Sequence, residues 1–530
     1  MIKKISSFIL IIFILFGFYG CKKAPDLTEI NPRNDVYYQL FVRSFSDSDG
    51  DGVGDFNGIT KKLDYLVDLG ITGIWLMPIH PSPTYHGYDV LDYYDVNPEY
   101  GSLEDFKNLC KEAKAKGITI MIDLVVNHTS SLHEWFLKAL AGDKKYKDYY
   151  VFTDQTTTGK LGSWGQNIWH SANNQKYCGY FSNTMPDLNF FNEAVIEEIY
   201  NIGQFWIENG VGGFRLDAAQ HFFGTNEYLN HNIDFYDNIL FLKDFRKKMR
   251  EYDPNVYITG EINLLTESIV KEYFIGLDSP LDFPIANKVV TVGASNGNLN
   301  YAKSLVKIYK SYASLDRNFV SAPFLRNHDE NRLATEYDGN IDKLKLVAEM
   351  LMVLPGSPIV YYGEEIGMYG SKSNGELSNG IAIWDETRRL PFNFGDEYTT
   401  TWFQDENFYD VIRNKTIKPV SEQLLDQESL LNTYRAIIKL RNENVALRYG
   451  NSITAYENNT SQVQGFYREY QYEDIYQKVL VFHNLSLTEQ TLPAVNGNII
   501  YASGREDLTE ITTIAPKSTI VIDVSDKNHD

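Results

Sequence analysis

Eight short apolar runs, each followed by a helix-like amphipathic pattern, recur along the chain at 36–43, 73–78, 119–126, 213–216, 256–259, 281–285, 319–325 and 359–362. Repeated strand–helix alternation makes parallel sheet, and eight repeats predict a closed (β/α)8 barrel rather than a doubly wound sheet. Such barrels keep their chemistry at the C-terminal ends of their strands. Asp217, Glu261 and Asp329 each follow an apolar run, which places them at buried strand ends and not on solvated helix faces.

The intervals are uneven. About 60 residues rich in Gly, Asn, Trp and Tyr separate the third run from the helical pattern starting near Glu193, too many for an ordinary loop. An inserted domain is therefore expected at 129–190, splitting the barrel domain into 35–128 and 191–450. A second long insertion, 367–419, follows the eighth run, and 429–448 has the periodicity of a closing helix. Beyond 450 the pattern changes to alternating strands such as "KVLVFHN" and "STIVIDV" between Gly and Asn turns, an antiparallel β-sandwich at 451–530.

Lys3 and Lys4 precede an apolar run ending in Gly20-Cys21, the pattern of an export signal over 1–21, followed by a linker over 22–34. The small residue before Cys21 is similar to a bacterial lipoprotein signal, although Phe18 and Tyr19 are bulkier than usual there. An exported, cell-surface lipid-anchored or secreted protein is expected, touching the membrane only through that anchor. The formal charge of −21 argues against nucleic acid or an anionic membrane as partner, because both require a basic face. A neutral ligand fits better, and 37 Tyr, 30 Phe and 7 Trp supply rings for stacking on sugars. Cys110 and Cys178 are expected to be buried thiols.

Four motifs in fixed order sharpen this: "DLVVNH" (123–128), "GFRLDAAQH" (213–221), "GEI" (260–262) and "FLRNHDE" (324–330). With "HGYDVLDYYDVNPEYG", "MPDLN" and "PGSPIVYYGEEIGM", the chain resembles the α-amylases of glycoside hydrolase family 13 over nearly its whole length. The resemblance implies retaining endo-hydrolysis of α-1,4-glucosidic bonds in starch-like glucans, with Asp217 as nucleophile, Glu261 as general acid/base and Asp329 as the third, stabilising carboxylate. That chemistry needs one ionised carboxylate beneath the anomeric carbon and one acid at the leaving oxygen. Arg215, two residues before Asp217, shares its side of a strand and is placed to orient it. Burial and neighbouring negative charge are expected to raise the pKa of Glu261. By the same resemblance His128 and His328 donate to the sugar, Tyr88 forms a platform beneath it, and Asn327 and His80 are weaker substrate-binding candidates.

Calcium is the expected cofactor. In "DSDGDGVGD" the carboxylates of Asp47, Asp49, Asp51 and Asp55, with the Val53 carbonyl, form a dense set of hard oxygen ligands on a glycine-bent loop, whose alternative is a solvated acidic turn. A second calcium, at Asn127, Asp187 and the His221 carbonyl, rests on the resemblance alone. Tyr85 stands where exo-acting relatives carry an aspartate, which favours an open, endo-acting cleft, while Asn263 replaces a common tryptophan after "GEI". The alternatives are an exo-acting α-glucosidase or a cyclomaltodextrinase/neopullulanase-like enzyme and, in a different class, a surface lipoprotein that binds starch without cleaving it. A monomer is expected.

Overall fold

A computed structural model describes residues 35–154, 161–162, 164–224, 235–373, 375–377, 383–509 and 511–525. The signal at 1–21 with Cys21, and the linker 22–34, lie outside the described residues. Among the described residues no helix is long and apolar enough to cross a membrane.

The chain starts the barrel with β1 (Tyr37–Leu40), β2 (Gly73–Leu76) and β3 (Thr119–Leu124). It leaves for a small antiparallel sheet made of β4 (Phe152–Thr153), β5 (Trp169–Ala172) and β6 (Gln175–Cys178), in the order β4-β6-β5. The barrel resumes with β7 (Gly213–Leu216), β8 (Tyr257–Gly260), β9 (Ser279–Pro280) and β10 (Ile359–Tyr361). All seven barrel strands pair in parallel in the order β10-β1-β2-β3-β7-β8-β9. The remaining gap is closed by two isolated parallel bridges, Leu281 to Ala322 and Phe324 to Ile359, so segment 319–325 fills the open position of the ring. The fold is a (β/α)8 barrel.

Alternation along each strand sorts the core. Tyr37, Trp75, Met121, Tyr257 and Ile359 pack together inside the ring, whereas Tyr38, Ile74, Ile120, Ile122 and Ile258 face the helices. The sixth run is where structure and sequence pattern part. Residues 281–285 read as strand by composition, but the strand is β9, two residues earlier, and Phe283–Ala294 is helical. Asp282 caps that helix by accepting from the Ile285 amide, and Pro284, with its fixed φ and missing N–H, suits a first helical turn. The seventh run pairs only through its two bridges, too few to make a ladder.

After the helix Leu430–Glu443, capped by Ser429, come β11 (Ser452–Ala455), β12 (Val463–Tyr472), β13 (Ile475–Asn484), β14 (Gln490–Thr491), β15 (Asn498–Ala502), β16 (Thr513–Ile514) and β17 (Ser518–Asp523). They form an antiparallel sheet β11-β12-β13-β17-β15 and a separate β14-β16 pair. Along β13, Val479 and Val481 join the core shared with the barrel helices, while Leu480 and Phe482 pack with Ile514 on the other face.

Candidate active site

Parity along the strands builds the site. Two residues beyond the barrel-filling Met121 is Asp123, and two beyond Gly213 is Arg215, so both point inward at the C-terminal end of the ring. Gly213 leaves room for this layer: a Cβ there would lie 2.8 Å from the Tyr257 carbonyl oxygen. The buried Arg215 guanidinium, packed over the Trp75 ring, is the hub. Its Nη1 donates to Asp123 Oδ1 at 2.7 Å and to Asp217 Oδ1 at 2.6 Å, and its Nη2 donates to Glu261 Oε2 at 2.9 Å. The next residue after Asp217, Ala218, has φ of 48°, a left-handed conformation rare outside glycine. That turn sends its amide to Glu261 Oε2 at 3.2 Å. Backbone strain of this kind persists where surrounding contacts over-determine it.

One side of the hub is a chain of polar groups. Tyr88 OH donates to Asp123 Oδ2 at 3.0 Å and lies 2.6 Å from His328 Nε2, with the two rings stacked at 7°. The Gln39 amide nitrogen can only donate, so at 2.7 Å it makes His328 Nδ1 an acceptor and leaves the ring proton on Nε2. Nε2 is 3.0 Å from Asp329 Oδ2, and Arg389 Nη2 donates to Asp329 Oδ1 at 3.1 Å. Asp329 is the open member of the set, with 48% of its side chain exposed against 10% for Asp217.

Four carboxylates and two guanidiniums share this space, so the carboxylates compete for positive charge. Burial pushes Asp123 up to about 7, with Arg215 opposing and Asp217 adding to the rise. Asp217 and Glu261 also lie above the usual carboxylate range through burial, again opposed by Arg215, and Asp217 and Asp329 lift Glu261 further. Asp329 is different: burial raises it, but His328, Arg389 and Arg215 outweigh that and hold it below the ordinary range. The proton that the set retains is best carried by Glu261. Both oxygens of Asp123 accept strong donors, whereas Glu261 concentrates its two on Oε2 and keeps Oε1 for a proton. Glu261 and Asp329 line a cleft of about 290 Å³ with Asn263, Asn327, Arg326 and Glu330. A larger cavity, about 760 Å³, lies far from this chemistry, between helices Leu63–Leu69 and Leu430–Glu443 and the turn around Gly504.

The other sequence candidates fall in different places. His128 commits Nε2 to the Tyr88 carbonyl at 2.9 Å and packs on Phe181. Asn327 is buried and accepts from the Asp329 amide at 2.9 Å, shaping the loop that presents Asp329. His80 is fully buried against the edges of Tyr93 and Trp206, a core residue and not a ligand for substrate. Tyr85 stacks on Trp402 and lies 3.3 Å from Arg389 Nη1, so an aromatic–arginine wall stands at that position. Three participants carry no assigned role in the sequence: Asp123, Gln39 and Arg389. The first two follow from inward parity on β3 and β1, while Arg389 comes from a long insertion without periodicity.

In the acidic loop, Asp47, Asp49 and Asp55 each offer a carboxylate oxygen, all within 4.8 Å of one another, and Asp51 is exposed outside that group. Gly50 and Gly52 take φ of 85° and 97°, which folds the loop so that amides of Asp49, Gly50 and Gly52 brace Asp47. The donor set fits a hard cation such as calcium. In the second set protein groups meet the carboxylate. Asn127 Nδ2 is 3.4 Å from Asp187, but the Cys178 thiol donates to Asp187 Oδ2 at 3.1 Å, the Tyr180 amide donates to both its oxygens, and the His221 carbonyl accepts from Gly224. Burial pushes Asp187 up to about 7, opposed by the Cys178 thiol and the Tyr180 amide. Cys178 and Cys110 are both buried and unpaired with each other.

Residues 39–450 match the family model described as the α-amylase catalytic domain. The chain is 37% identical to "Alpha-amylase 3" of Dictyoglomus thermophilum over 501 residues, covering 93% of each. It is 30% identical to an oligo-1,6-glucosidase of Bacillus cereus over 517 residues, covering 86% of this chain and 91% of that protein. Among solved structures, the α-amylase from H. orenii superposes with a TM-score of 0.82 at 36% identity, covering 93% of this chain and 99% of that one.

Proposed function

Because the chain belongs to the α-amylase family, glycoside hydrolase family 13, we propose that it is a retaining endo-α-amylase acting on internal α-1,4-glucosidic bonds of starch, glycogen and maltooligosaccharides. The observation that carries this reading is the pair Asp217 and Glu261 held on the two Nη nitrogens of one guanidinium. One fork keeps two carboxylates close, as retention requires: roughly 5–5.5 Å, against about 6.5–9.5 Å when a water must fit between them.

In the first step an Asp217 oxygen bonds to the anomeric carbon as the glycosidic C–O bond breaks, and Glu261 passes its proton to the departing oxygen. Glu261, now ionised, takes a proton from water, whose oxygen displaces Asp217 and regenerates the α-configured product. Arg215 orients Asp217, Asp329 stays ionised beside the positive charge that develops on the sugar, and the Tyr88–His328 stack gives the ring a flat support. Calcium, when bound, braces the loop at Asp47, Asp49 and Asp55 and supplies no step in the reaction. Export with lipid attachment at Cys21 and a monomeric state complete the proposal.

One observation favours a second reading. Tyr85 and Arg389 meet at 3.3 Å at the position where exo-acting relatives carry an aspartate, a contact that would suit an exo-acting α-glucosidase if it closes that end of the site. A time course on soluble starch, end-blocked maltoheptaoside, pullulan and isomaltose separates the two. Fast loss of iodine colour with cleavage of the blocked substrate supports the endo reading. Glucose from isomaltose or maltose with the blocked substrate intact moves the enzyme to the exo class, and no cleavage of any substrate leaves a starch-binding protein.

A further inference from the structure

Trp384 has 58% of its surface exposed, and among the described residues no ring or cation packs on its indole. An isolated tryptophan is rigid, with a flat face that matches the C–H face of a sugar. Its backbone is fixed. The Trp384 amide donates to the Glu386 carboxylate at 2.7 Å, and its carbonyl accepts from Ser373 at 3.0 Å. Its loop is clamped to the active site from the next residue on. Asp385 pairs with Arg388 at 2.7 Å and with Arg389 at 3.9 Å; Arg388 also donates to the Asp329 carbonyl at 2.7 Å and to Asn331 Oδ1, and Arg389 holds the Asp329 carboxylate. Asp385 and Asp329 thus share one guanidinium nitrogen, and the indole is presented one residue from that contact. Trp164, also exposed, differs because Tyr180 and Phe181 already lean on its ring.

We infer that Trp384 is a stacking platform for a glucose unit of the α-glucan chain outside the reacting position, and that it sets the enzyme's preference for longer chains. The inference rests on the proposed hydrolase reading and adds the residue that measures chain length. A polymer without charge offers hydroxyls and sugar faces, and a fixed indole binds such a face with little ordering cost. The platform touches a unit that only longer substrates possess, so its contribution appears in their binding and scales with chain length.

The test compares kcat/KM on maltoheptaose and maltotriose for wild type, Trp384→Ala and Trp384→Phe. Trp384→Ala should lower the maltoheptaose-to-maltotriose ratio by about tenfold, the size of one good aromatic contact, mainly through KM, and Trp384→Phe should recover most of it. Equal loss on both substrates, or no loss on either, overturns the platform. Calorimetric titration of maltoheptaose into Asp217→Asn and Asp217→Asn/Trp384→Ala proteins separates this from the hydrolase reading. Weaker binding in the double variant supports the platform even if the wild type cleaves neither sugar, and equal affinity overturns it even if the wild type is an active amylase.

Discussion

Buried arginines hold the barrel at both ends, and they do so in opposite ways. At the C-terminal end of the strands, Arg215 is surrounded by Asp123, Asp217 and Glu261, and this company raises its pKa despite burial. At the other end, just before β10, Arg441 donates to the carbonyls of Met352, Leu354 and Gly356, and Arg468 from β12 reaches those of Val353, Leu447 and Gly450. Burial lowers both of these, Arg468 to about 9, because carbonyl dipoles return less than a carboxylate does. The lower pair closes the ends of helices Ile341–Met352 and Val445–Arg448 and ties the C-terminal sheet to the barrel, where partial charges suffice. The upper hub gathers more negative charge than it neutralises, and in the proposed mechanism that surplus lets one carboxylate keep a proton while another attacks.

Replacing the hub should give the largest effect. Arg215→Gln leaves three buried carboxylates without their cation, and kcat/KM is expected to fall at least about 10³-fold. The same variant should lose stability more steeply than wild type as pH rises. Carboxylates whose folded pKa is raised lend stability below their unfolded pKa and lose it as pH rises through the folded value, so Arg215→Gln should melt lower at pH 8 than at pH 5 relative to wild type. An unaltered difference would mean that Arg215 is not the counter-ion of the set.

Arg441→Met probes the other end. Three carbonyls lose their donor, which should lower unfolding stability by about 3 kcal/mol in a denaturant titration. The kcat per folded molecule should stay within about twofold of wild type. A large fall in kcat would erase the distinction between the two sites.

A third prediction concerns the retained proton. With Glu261 raised, the acid form is present at low pH and lost as pH rises through its pKa, so kcat/KM should fall about tenfold per unit on the alkaline limb. In Glu261→Gln that limb should disappear along with most of the activity, and its survival would assign the proton elsewhere. The smallest effect is expected at the acidic loop, where chelation should lower the melting temperature by an amount worth about 1–2 kcal/mol and Asp49→Asn should abolish that calcium-dependent increment.

The same contrast governs how much of the molecule is legible in its sequence. Apolar alternation reveals the barrel because Met121 and Tyr257 fill the ring while Ile120 and Ile258 cover it. That parity leads on to Arg215 and Asp123, since a charge at an inward strand position is costly to bury unless an opposite charge meets it there. The sixth run misleads because the cap at Asp282 and the proline after it outweigh a strand-like composition. Arg389 stays hidden because loops carry no period, and only three-dimensional closure brings it to Asp329. At the lower end, Arg441 and Arg468 sit in a helix and a strand with nothing to distinguish them from solvated charges until the carbonyls they bind are seen.

The proposed retaining hydrolysis turns on Asp217 forming the bond to sugar, and trapping that bond is the direct test. A fluorinated α-maltosyl fluoride, which forms the glycosyl intermediate faster than water resolves it, should add one fluorinated maltosyl mass to the protein, carried by the peptide containing Asp217 and absent in Asp217→Asn. Label on another carboxylate, or steady turnover to β-configured product with no label, would contradict the retaining mechanism and the role of the Arg215 hub in orienting its nucleophile.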